Sequence, residues 1–147
     1  MSARIHRTSS EEETIDLGRQ LASELKRPCL ILLIGNLGAG KTTLTKGIVS
    51  GLGVAPVEEV SSPTYTVIHE YGSDVYHIDL YRLDKPEQVA SLGLDEMFDR
   101  GAVMLVEWGE AYRQVLPTTE TIDIRISVEG EERVISVDPR SSAAEHL

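Results

Sequence analysis

A glycine-rich segment between two apolar elements constrains this chain more than any other feature. Residues 35–42 read GNLGAGKT and fit the pattern G-x-x-x-x-G-K-[ST]. The preceding run, residues 29–34, is apolar at every position, which is typical of a strand buried on both faces of a parallel sheet. Residues 42–52 then carry leucine and isoleucine at helical spacing, and Gly53 ends the predicted helix. This order of strand, turn and helix predicts a phosphate-binding loop.

The residue types of this loop suit a polyphosphate. Gly35, Gly38 and Gly40 allow the backbone to curl so that several N–H groups point at one anion, and the helix start adds a positive dipole. Lys41 can reach the β- and γ-phosphates, and the Thr42 hydroxyl can ligate Mg²⁺. The chain has 14 Lys and Arg against 24 Asp and Glu, a net charge of −10. One lysine cannot balance a polyphosphate in such a protein, so the sequence predicts Mg²⁺ as cofactor.

Two acidic residues are candidates for the carboxylate ligand of that metal. Glu107 directly follows the apolar run AVMLV, so we expect it at the C-terminal end of a buried strand, where open α/β sheets bind their ligands. Asp79 ends a less apolar strand in HIDLYR, and alternation places His77 on the same face. The sequence leaves open which acid is the main ligand. For either of them, a surface or salt-bridged carboxylate is the alternative.

The segment SSPTYT, residues 61–66, is a candidate for a mobile element beside the site. Pro63 fixes its own φ and favours an extended conformation at Ser62, so that Ser62, Thr64 and Thr66 present hydroxyls on a loop. A loop of this kind could sense a γ-phosphate and act as a switch. The same residues could equally form an ordinary start of a strand.

The rest of the chain predicts a small α/β fold of the P-loop NTPase type. A short strand at residues 4–7 is followed by a helix that begins with a capping box at Ser10 and ends at Arg27–Pro28. The other predicted strands are 64–71 and 75–80, which form a hairpin, then 102–107, and then 122–128 and 133–137, which form a second hairpin.

We therefore expect a mixed, mostly parallel central sheet flanked by helices. Residues 1–138 would form a single P-loop ATPase domain, and residues 139–147, which are small and polar without a packing pattern, would form a flexible C-terminal tail.

Composition excludes several other classes of protein. The net charge of −10 and a pI near 4.8 oppose direct binding to nucleic acid. The longest apolar run, residues 29–34, is far shorter than the roughly 20 residues that a membrane helix needs. The first residues lack the apolar stretch of a secretory signal, and a single cysteine, Cys29, cannot form an internal disulfide. We expect a cytoplasmic protein in which Cys29 is a buried, inert thiol.

Four segments in this order resemble the TsaE (YjeE) family, bacterial ATPases of tRNA threonylcarbamoyladenosine biosynthesis. They are GNLGAGKTTLTKG, SSPTYT, VYHIDLYRL and LVEW. The resemblance implies a protein that binds ATP and Mg²⁺ and works with the partners TsaD and TsaB, which attach a threonylcarbamoyl group to an adenosine of the tRNA anticodon loop. It implies that this subunit supplies the energy-coupled step, meets tRNA only through the partners, and contacts neither DNA nor membrane.

The resemblance also implies roles for individual residues. The phosphates would be held by Gly38, Ala39, Gly40, Lys41, Thr42 and Thr43. Mg²⁺ would be ligated by Thr42 and Glu107, with Asp79 acting beside them, and the candidate catalytic residues are Lys41, Asp79 and Glu107. Other positions at which the family touches the nucleotide align with Ser10, Glu110 and Arg133. Gly109 departs from the proline expected after the tryptophan, so the resemblance is weakest in the loop that leads to Glu110.

The motifs predict slow hydrolysis by the protein alone. Arg82 is the only arginine in the central motifs, no glutamine is obviously placed to position water, and an arginine finger is typically worth 10³–10⁵ in rate. We expect an ATPase that is weak alone and stimulated by its partners. The alternatives are a small P-loop nucleoside or metabolite kinase, which usually needs several arginines on a lid, and a non-hydrolysing nucleotide-sensing module.

Overall fold

The computed structural model describes residues 1–36, 40–61 and 67–141. The strands are β1 (Arg4–Thr8), β2 (Cys29–Ile34), β3 (Ile68–Tyr71), β4 (Val75–Asp79), β5 (Val103–Glu107), β6 (Glu120–Glu129) and β7 (Glu132–Ser141). The α-helices are α1 (Glu11–Ala22), α2 (Lys41–Gly51), α3 (Pro86–Ala90) and α4 (Leu94–Asp99). Two 3-10 helices cover Val57–Glu59 and Glu110–Val115. None of the helices in the described ranges combines the length and hydropathy that a bilayer crossing requires.

The strands form one sheet in the order β1-β7-β6-β2-β5-β4-β3. The four neighbours β6, β2, β5 and β4 pair in parallel, and β3, β7 and β1 each join through an antiparallel pairing. Because β1 opposes β7 and β7 opposes β6, five of the seven strands run in the same direction. The predicted α/β class with a mixed, mostly parallel sheet and two hairpins is confirmed.

The central position of β2 follows from its composition. Ile31 and Leu33 point toward a layer formed by α1 and α2, whereas Leu30 and Leu32 point toward a layer formed by α3, α4 and the second 3-10 helix. All four side chains are at most 1% exposed. A strand without a polar face requires cover on both sides, and this placement puts its C-terminal end, which leads to α2, in the middle of one edge of the sheet.

Helix α1 begins as the capping pattern predicts. The Ser10 hydroxyl accepts a hydrogen bond from the Glu13 backbone N–H at 3.1 Å, and the Glu13 carboxylate accepts one from the Ser9 backbone N–H at 2.8 Å. The first bond satisfies one orphan N–H of the helix, and the second bonds the residue before the cap rather than the cap itself. The predicted end of this helix at Arg27–Pro28 is wrong. The helix ends at Ala22, because the next N–H groups bond to carbonyls three residues back and tighten the last turn.

The predicted flexible tail begins too early. β7 continues through Pro139 and Arg140 to Ser141, where it lies opposite Glu120. β1 pairs with β7 only as far as Val137, so beyond that point β7 is an edge strand, and an edge tolerates the missing N–H of a proline. The boundary at residue 138 is therefore corrected to Ser141 at the earliest, and residues 142–147 lie outside the described residues.

Two glycines bring α1 and α2 into backbone contact. A Cβ at Gly47 would lie 2.1 Å from the Ile15 carbonyl oxygen, and a Cβ at Gly18 would lie 2.6 Å from the Leu44 carbonyl oxygen. Only glycine fits at such distances. Because α2 begins at Lys41, this close packing fixes the position of the glycine-rich loop's last residues relative to α1.

Candidate functional site

A pocket of about 370 Å³ opens where the C-terminal end of β5 meets the starts of α1 and α2 and the turn between β6 and β7. Its lining residues are Ser9, Ser10, Glu11, Thr14, Gly40, Lys41, Thr42, Thr43, Glu107, Glu131 and Arg133. The pocket therefore lies where open α/β sheets bind their ligands, at the carboxyl ends of parallel strands and at a helix N-terminus.

The backbone at the entrance to α2 depends on glycine. Gly40 is the residue before the helix, and its φ of +107° lies in the left-handed region that other residues rarely adopt. The three following residues, Lys41, Thr42 and Thr43, form the first turn of α2 and line the pocket. The N–H groups of a first helical turn have no intrahelical partners, so this turn can bind an anion.

Lys41 is buried at the floor of the pocket with only 6% of its side chain exposed. Its Nζ lies 3.5 Å from Oε1 of Glu107 and 4.5 Å from the centroid of the Trp108 ring. Lysine is almost never fully buried without a partner, and these two contacts supply one carboxylate and one aromatic face. The cation is therefore fixed next to the end of β5.

Glu107 is the carboxylate of the site. It is 5% exposed, and its Oε2 lies 2.5 Å from Nε2 of His77, a side chain that is fully buried. Burial alone would raise the pKa of Glu107, but the hydrogen bond from His77 and the positive charge of Lys41 outweigh burial and lower that pKa below its usual value. Glu107 is therefore ionised at neutral pH, and its Oε1 is the oxygen nearer Lys41.

Asp79 lies opposite Glu107 in the register of β4 and β5, but its surroundings differ. Its Oδ1 accepts a hydrogen bond from the Tyr81 backbone N–H at 3.0 Å, and Asp79 is not among the residues that line the pocket. Burial is the largest effect on the pKa of Asp79, and together with the negative charge of Glu107 it raises that pKa above its usual value.

Trp108 follows Glu107 in a strained backbone conformation, with φ at +61°. One face of its indole carries the Lys41 ammonium, and the Tyr81 ring packs against it at a centroid distance of 5.2 Å. A Cβ at Gly109 would lie 2.7 Å from a methyl carbon of Val106, so a larger residue at this position requires the neighbouring side chains to shift. These contacts place Trp108 beside the candidate site.

The structure brings together seven of the predicted site residues in the pocket: Ser10, Gly40, Lys41, Thr42, Thr43, Glu107 and Arg133. Three others do not line it: Gly35, Asp79 and Glu110. Glu110 begins the second 3-10 helix, and its Oε2 is buried without a hydrogen-bond partner among the described residues. The remaining predicted residues lie outside the described residues: Gly38, Ala39, Ser62, Pro63, Thr64 and Thr66. Which ligand each of these residues binds stays a prediction.

Sequence reasoning missed four lining residues: Ser9, Glu11, Thr14 and Glu131. Thr14 lies one turn into α1, on the pocket side of the Ser10 cap, and its hydroxyl lies 2.6 Å from that of Thr8. Some of these residues could have been predicted, because the first turn of α1 adjoins Ser10 and the residues before Arg133 adjoin that arginine, and both are predicted site residues. What the sequence lacked was the β1–β7 pairing that brings them to one place.

The oxygen atoms at the site suit Mg²⁺ that arrives with a phosphate ligand. The Thr42 hydroxyl and the ionised Glu107 carboxylate are hard donors that line the same pocket. Across residues 1–36, 40–61 and 67–141, no group of three or more His, Cys, Asp or Glu side chains could hold a metal by itself. Mg²⁺ usually takes one or two protein carboxylates and completes its shell with phosphate oxygens and water, so the donor set fits this ion.

Comparison with known proteins identifies the family of this chain. Residues 8–135 match the family model of the threonylcarbamoyl adenosine biosynthesis protein TsaE. The tRNA threonylcarbamoyladenosine biosynthesis protein TsaE of Bacillus subtilis is 41% identical over 129 residues, which are 86% of this chain and 78% of that relative. The protein of the same name from Rickettsia conorii is 34% identical over 137 residues, 90% of this chain and 77% of the relative.

A solved structure extends the similarity to the fold. The crystal structure of Bacillus subtilis YdiB superposes with a TM-score of 0.75 at 35% identity, over 99% of this chain and 90% of the other. The family match, the relatives and the fold agree over most of the chain, and the pocket contains the end of the glycine-rich motif on which the resemblance rests. The chain belongs to the TsaE family of tRNA threonylcarbamoyladenosine biosynthesis proteins.

Proposed function

We propose that this protein is the Mg²⁺-dependent ATPase subunit of the tRNA threonylcarbamoyladenosine machinery, and that it acts in the cytoplasm with TsaD and TsaB. The observation that carries the proposal is the buried Lys41 at the start of α2, 3.5 Å from the ionised Glu107 at the end of β5. A buried cation at a helix N-terminus beside a carboxylate suits a phosphate chain that carries a metal ion.

In the proposed complex, the first turn of α2 and Lys41 bind the phosphates, together with Gly35, Gly38 and Ala39 of the preceding loop. Thr42 and Glu107 hold the metal, which supplies charge neutralisation for the β- and γ-phosphates. Asp79 lies opposite Glu107 in the sheet and acts beside it. Ser10 and Arg133, which also line the pocket, contact the rest of the nucleotide, and Glu110 contributes from the neighbouring loop.

The charges of the pocket support a requirement for the metal. Two cations, Lys41 and Arg133, line it together with three carboxylates, Glu11, Glu107 and Glu131. A polyphosphate that entered alone would meet an excess of negative charge in a protein of net charge −10. A divalent cation removes this repulsion, so we expect ATP to bind much more tightly with Mg²⁺ than without it.

The lining of the pocket also supports slow hydrolysis by the protein alone. Among the described residues, Arg133 is the only arginine that lines the pocket, and no glutamine does. The protein alone would then lack an arginine finger, which stabilises the negative charge of the transition state and which P-loop enzymes commonly receive from a partner. We propose that TsaD and TsaB accelerate hydrolysis, and that Ser62, Pro63, Thr64 and Thr66 form a switch that closes on the γ-phosphate.

The test is to measure ATP affinity with Mg²⁺ and with EDTA, and hydrolysis with and without TsaD and TsaB. Lys41→Ala should abolish nucleotide-dependent activity, because the phosphates lose their buried cation. Glu107→Gln should weaken Mg²⁺-ATP by at least about tenfold without weakening metal-free ATP, from which it removes a repelling charge. Lys46→Ala, on the same helix but outside the pocket lining, is the control.

Four outcomes would contradict the proposal or part of it. Equal turnover with and without the partners would remove the proposed stimulation. An unchanged Mg²⁺ dependence in the Glu107 variant would indicate that Asp79 holds the metal instead, and Asp79→Asn is the variant that tests this. Phosphate transfer to a nucleoside or metabolite in an acceptor screen would indicate a kinase, and failure of single-turnover hydrolysis with the partners present would indicate a sensing module instead.

A further inference from the structure

Within the described part of the chain, the buried histidine of β4 makes one polar contact, and that contact is with Glu107. His77 is 0% exposed, and its Nε2 lies 2.5 Å from Oε2 of Glu107. Both side chains project from neighbouring strands on the face that α2 covers, since Val75 and Leu105, which alternate with them, pack in the same layer as α2. His77 is thus buried on the same face of the sheet as Glu107 and contacts it at the edge of the candidate site.

The direction of this hydrogen bond follows from the chemistry of the carboxylate. An ionised glutamate only accepts, so the imidazole must donate through Nε2–H. The other ring nitrogen, Nδ1, is buried and has no hydrogen-bond partner among the described residues. An unsatisfied buried polar atom carries a penalty that an apolar side chain of the same size would avoid. The fold gains little from a histidine at this place, and the hydrogen bond to Glu107 is the compensating contact.

The same contact rules out direct binding of a cation by this ring. Nε2 is taken by Glu107, and Nδ1 is closed off from the pocket with the rest of the buried ring. The effect of His77 on a ligand must therefore pass through the carboxylate. With Oε2 engaged by His77, the oxygen that remains for another partner is Oε1, which lies 3.5 Å from Lys41.

We propose that His77 is a positioning residue that holds the Glu107 carboxylate in one orientation, so that Oε1 is presented to the metal of the nucleotide complex. This inference rests on the proposed function. Partners of metal-ligating carboxylates orient them before the metal arrives, and their loss typically costs 10–100-fold in metal affinity or activity. His77 would thus determine how strongly Mg²⁺ and ATP promote each other's binding, without touching either.

Two amide substitutions separate positioning from packing. In His77→Gln, the side-chain amide nitrogen reaches the place of Nε2 and can still donate to Glu107. In His77→Asn, the amide reaches only the place of Nδ1, so the hydrogen bond to Glu107 is lost. Both variants put a neutral amide in the same buried position, and they differ by one methylene group. His69→Asn, at the residue opposite His77 on β3, is the control for the same change at a neighbouring site.

The readout is the ratio of the ATP dissociation constant in EDTA to that in saturating Mg²⁺, measured by calorimetry, together with the Mg²⁺ concentration for half-maximal hydrolysis. We expect His77→Asn to reduce the ratio about 10-fold or more and to leave the EDTA value within about twofold. His77→Gln and His69→Asn should keep the ratio near that of the unchanged protein. Equal ratios for His77→Asn and His77→Gln, or an effect on the EDTA value alone, would overturn the inference.

A measurement on the unchanged protein keeps the inference testable even where a variant does not fold. Two-dimensional ¹⁵N NMR of the histidine side chains should show His77 as the Nε2–H form, with a slowly exchanging proton that persists when Mg²⁺ and ADP are added. An Nδ1–H ring, or loss of the Nε2 proton on addition of Mg²⁺ and ADP, would overturn it. If the unchanged protein shows no difference between Mg²⁺ and EDTA, the proposed function fails. If that difference exists and the variants keep it, only the role of His77 fails.

Discussion

Glu107 and Asp79 lie at the ends of neighbouring strands, and their surroundings shift their pKa values in opposite directions. Glu107 receives a hydrogen bond from His77 and lies beside Lys41, so its pKa is lowered despite burial. Asp79 is partly buried next to the charge of Glu107, so its pKa is raised. The sequence placed both acids at the same edge but left the main ligand open. Glu107 also lines the pocket and Asp79 does not, which supports Glu107 as the main metal ligand in the proposed site.

Cys29 provides a prediction about a single side chain outside the site. Burial raises the pKa of its thiol to about 11, against a smaller opposing effect of the Arg27 charge. The thiolate is the reactive form, so at pH 8 we expect the native protein to react with iodoacetamide about 100-fold more slowly than the urea-unfolded chain. Mass spectrometry of labelled protein over time measures both rates. Equal rates in the two states would show that the thiol is accessible and ionised in the fold.

At the scale of elements, the contact between α1 and α2 sets the geometry of the site. Glycine inside an exposed helix is ordinarily less stable than alanine by about 0.5–1 kcal/mol. At Gly47 we expect alanine to be less stable than glycine, because a Cβ would overlap the Ile15 carbonyl oxygen at 2.1 Å. We expect Gly47→Ala to destabilise the fold by about 1–3 kcal/mol, and to weaken nucleotide binding by shifting the start of α2.

Urea unfolding and ATP titration of the Gly47→Ala protein measure the two effects. Gln20→Ala, on the exposed side of α1, is the matched control and should change stability by less than about 0.5 kcal/mol. A gain of stability at Gly47 comparable to ordinary helix propensity would mean that the two helices lie farther apart than the structure shows.

The elements that the sequence predicted best are those whose pattern is unambiguous. The apolar runs of β2 and β5 have no polar face, so their burial followed directly from composition. The end of α1 was wrong because Leu25 continues the helical spacing, while local hydrogen bonds to carbonyls three residues back close the helix at Ala22. The continuation of β7 through Pro139 was missed because a strand tolerates proline only at an edge of the sheet. Only the pairing partners show that this part of β7 is an edge.

The same reasoning explains which part of the site was predictable. Lys41, Thr42 and Glu107 belong to local motifs that combine residue type with a strand end or helix start, so sequence alone pointed to them. Glu131 and Thr14 carry no such motif, and they line the pocket only because distant strands pair. His77 was assigned to a strand face, but its contact with Glu107 required the register of β4 against β5.

At the scale of the whole molecule, charge makes a prediction about tRNA. Three arginines that could lend positive charge to the surface instead converge on one fully buried carboxylate: Arg113, Arg125 and Arg140 lie 2.5, 3.8 and 3.5 Å from Asp123. With a net charge of −10, the protein gains little from releasing counterions of a polynucleotide.

We therefore expect no saturable binding of tRNA by the isolated protein at about 150 mM salt, as measured by electrophoretic mobility shift. The same assay with TsaD and TsaB added is the positive control, in which any shift should depend on the partners. Saturable binding by the isolated protein with a steep dependence on salt would contradict indirect contact through the partners.

The antiparallel pairing of β1 with β7 joins segments that lie more than a hundred residues apart. Ser9, just after β1, lines the pocket, and so do Glu131, in the turn before β7, and Arg133, within β7. During translation, a polypeptide that has emerged only as far as β5 already contains Lys41 and Glu107 but lacks Glu131 and Arg133. If the proposed function holds, full-strength nucleotide binding should therefore appear only after the last hairpin has left the ribosome.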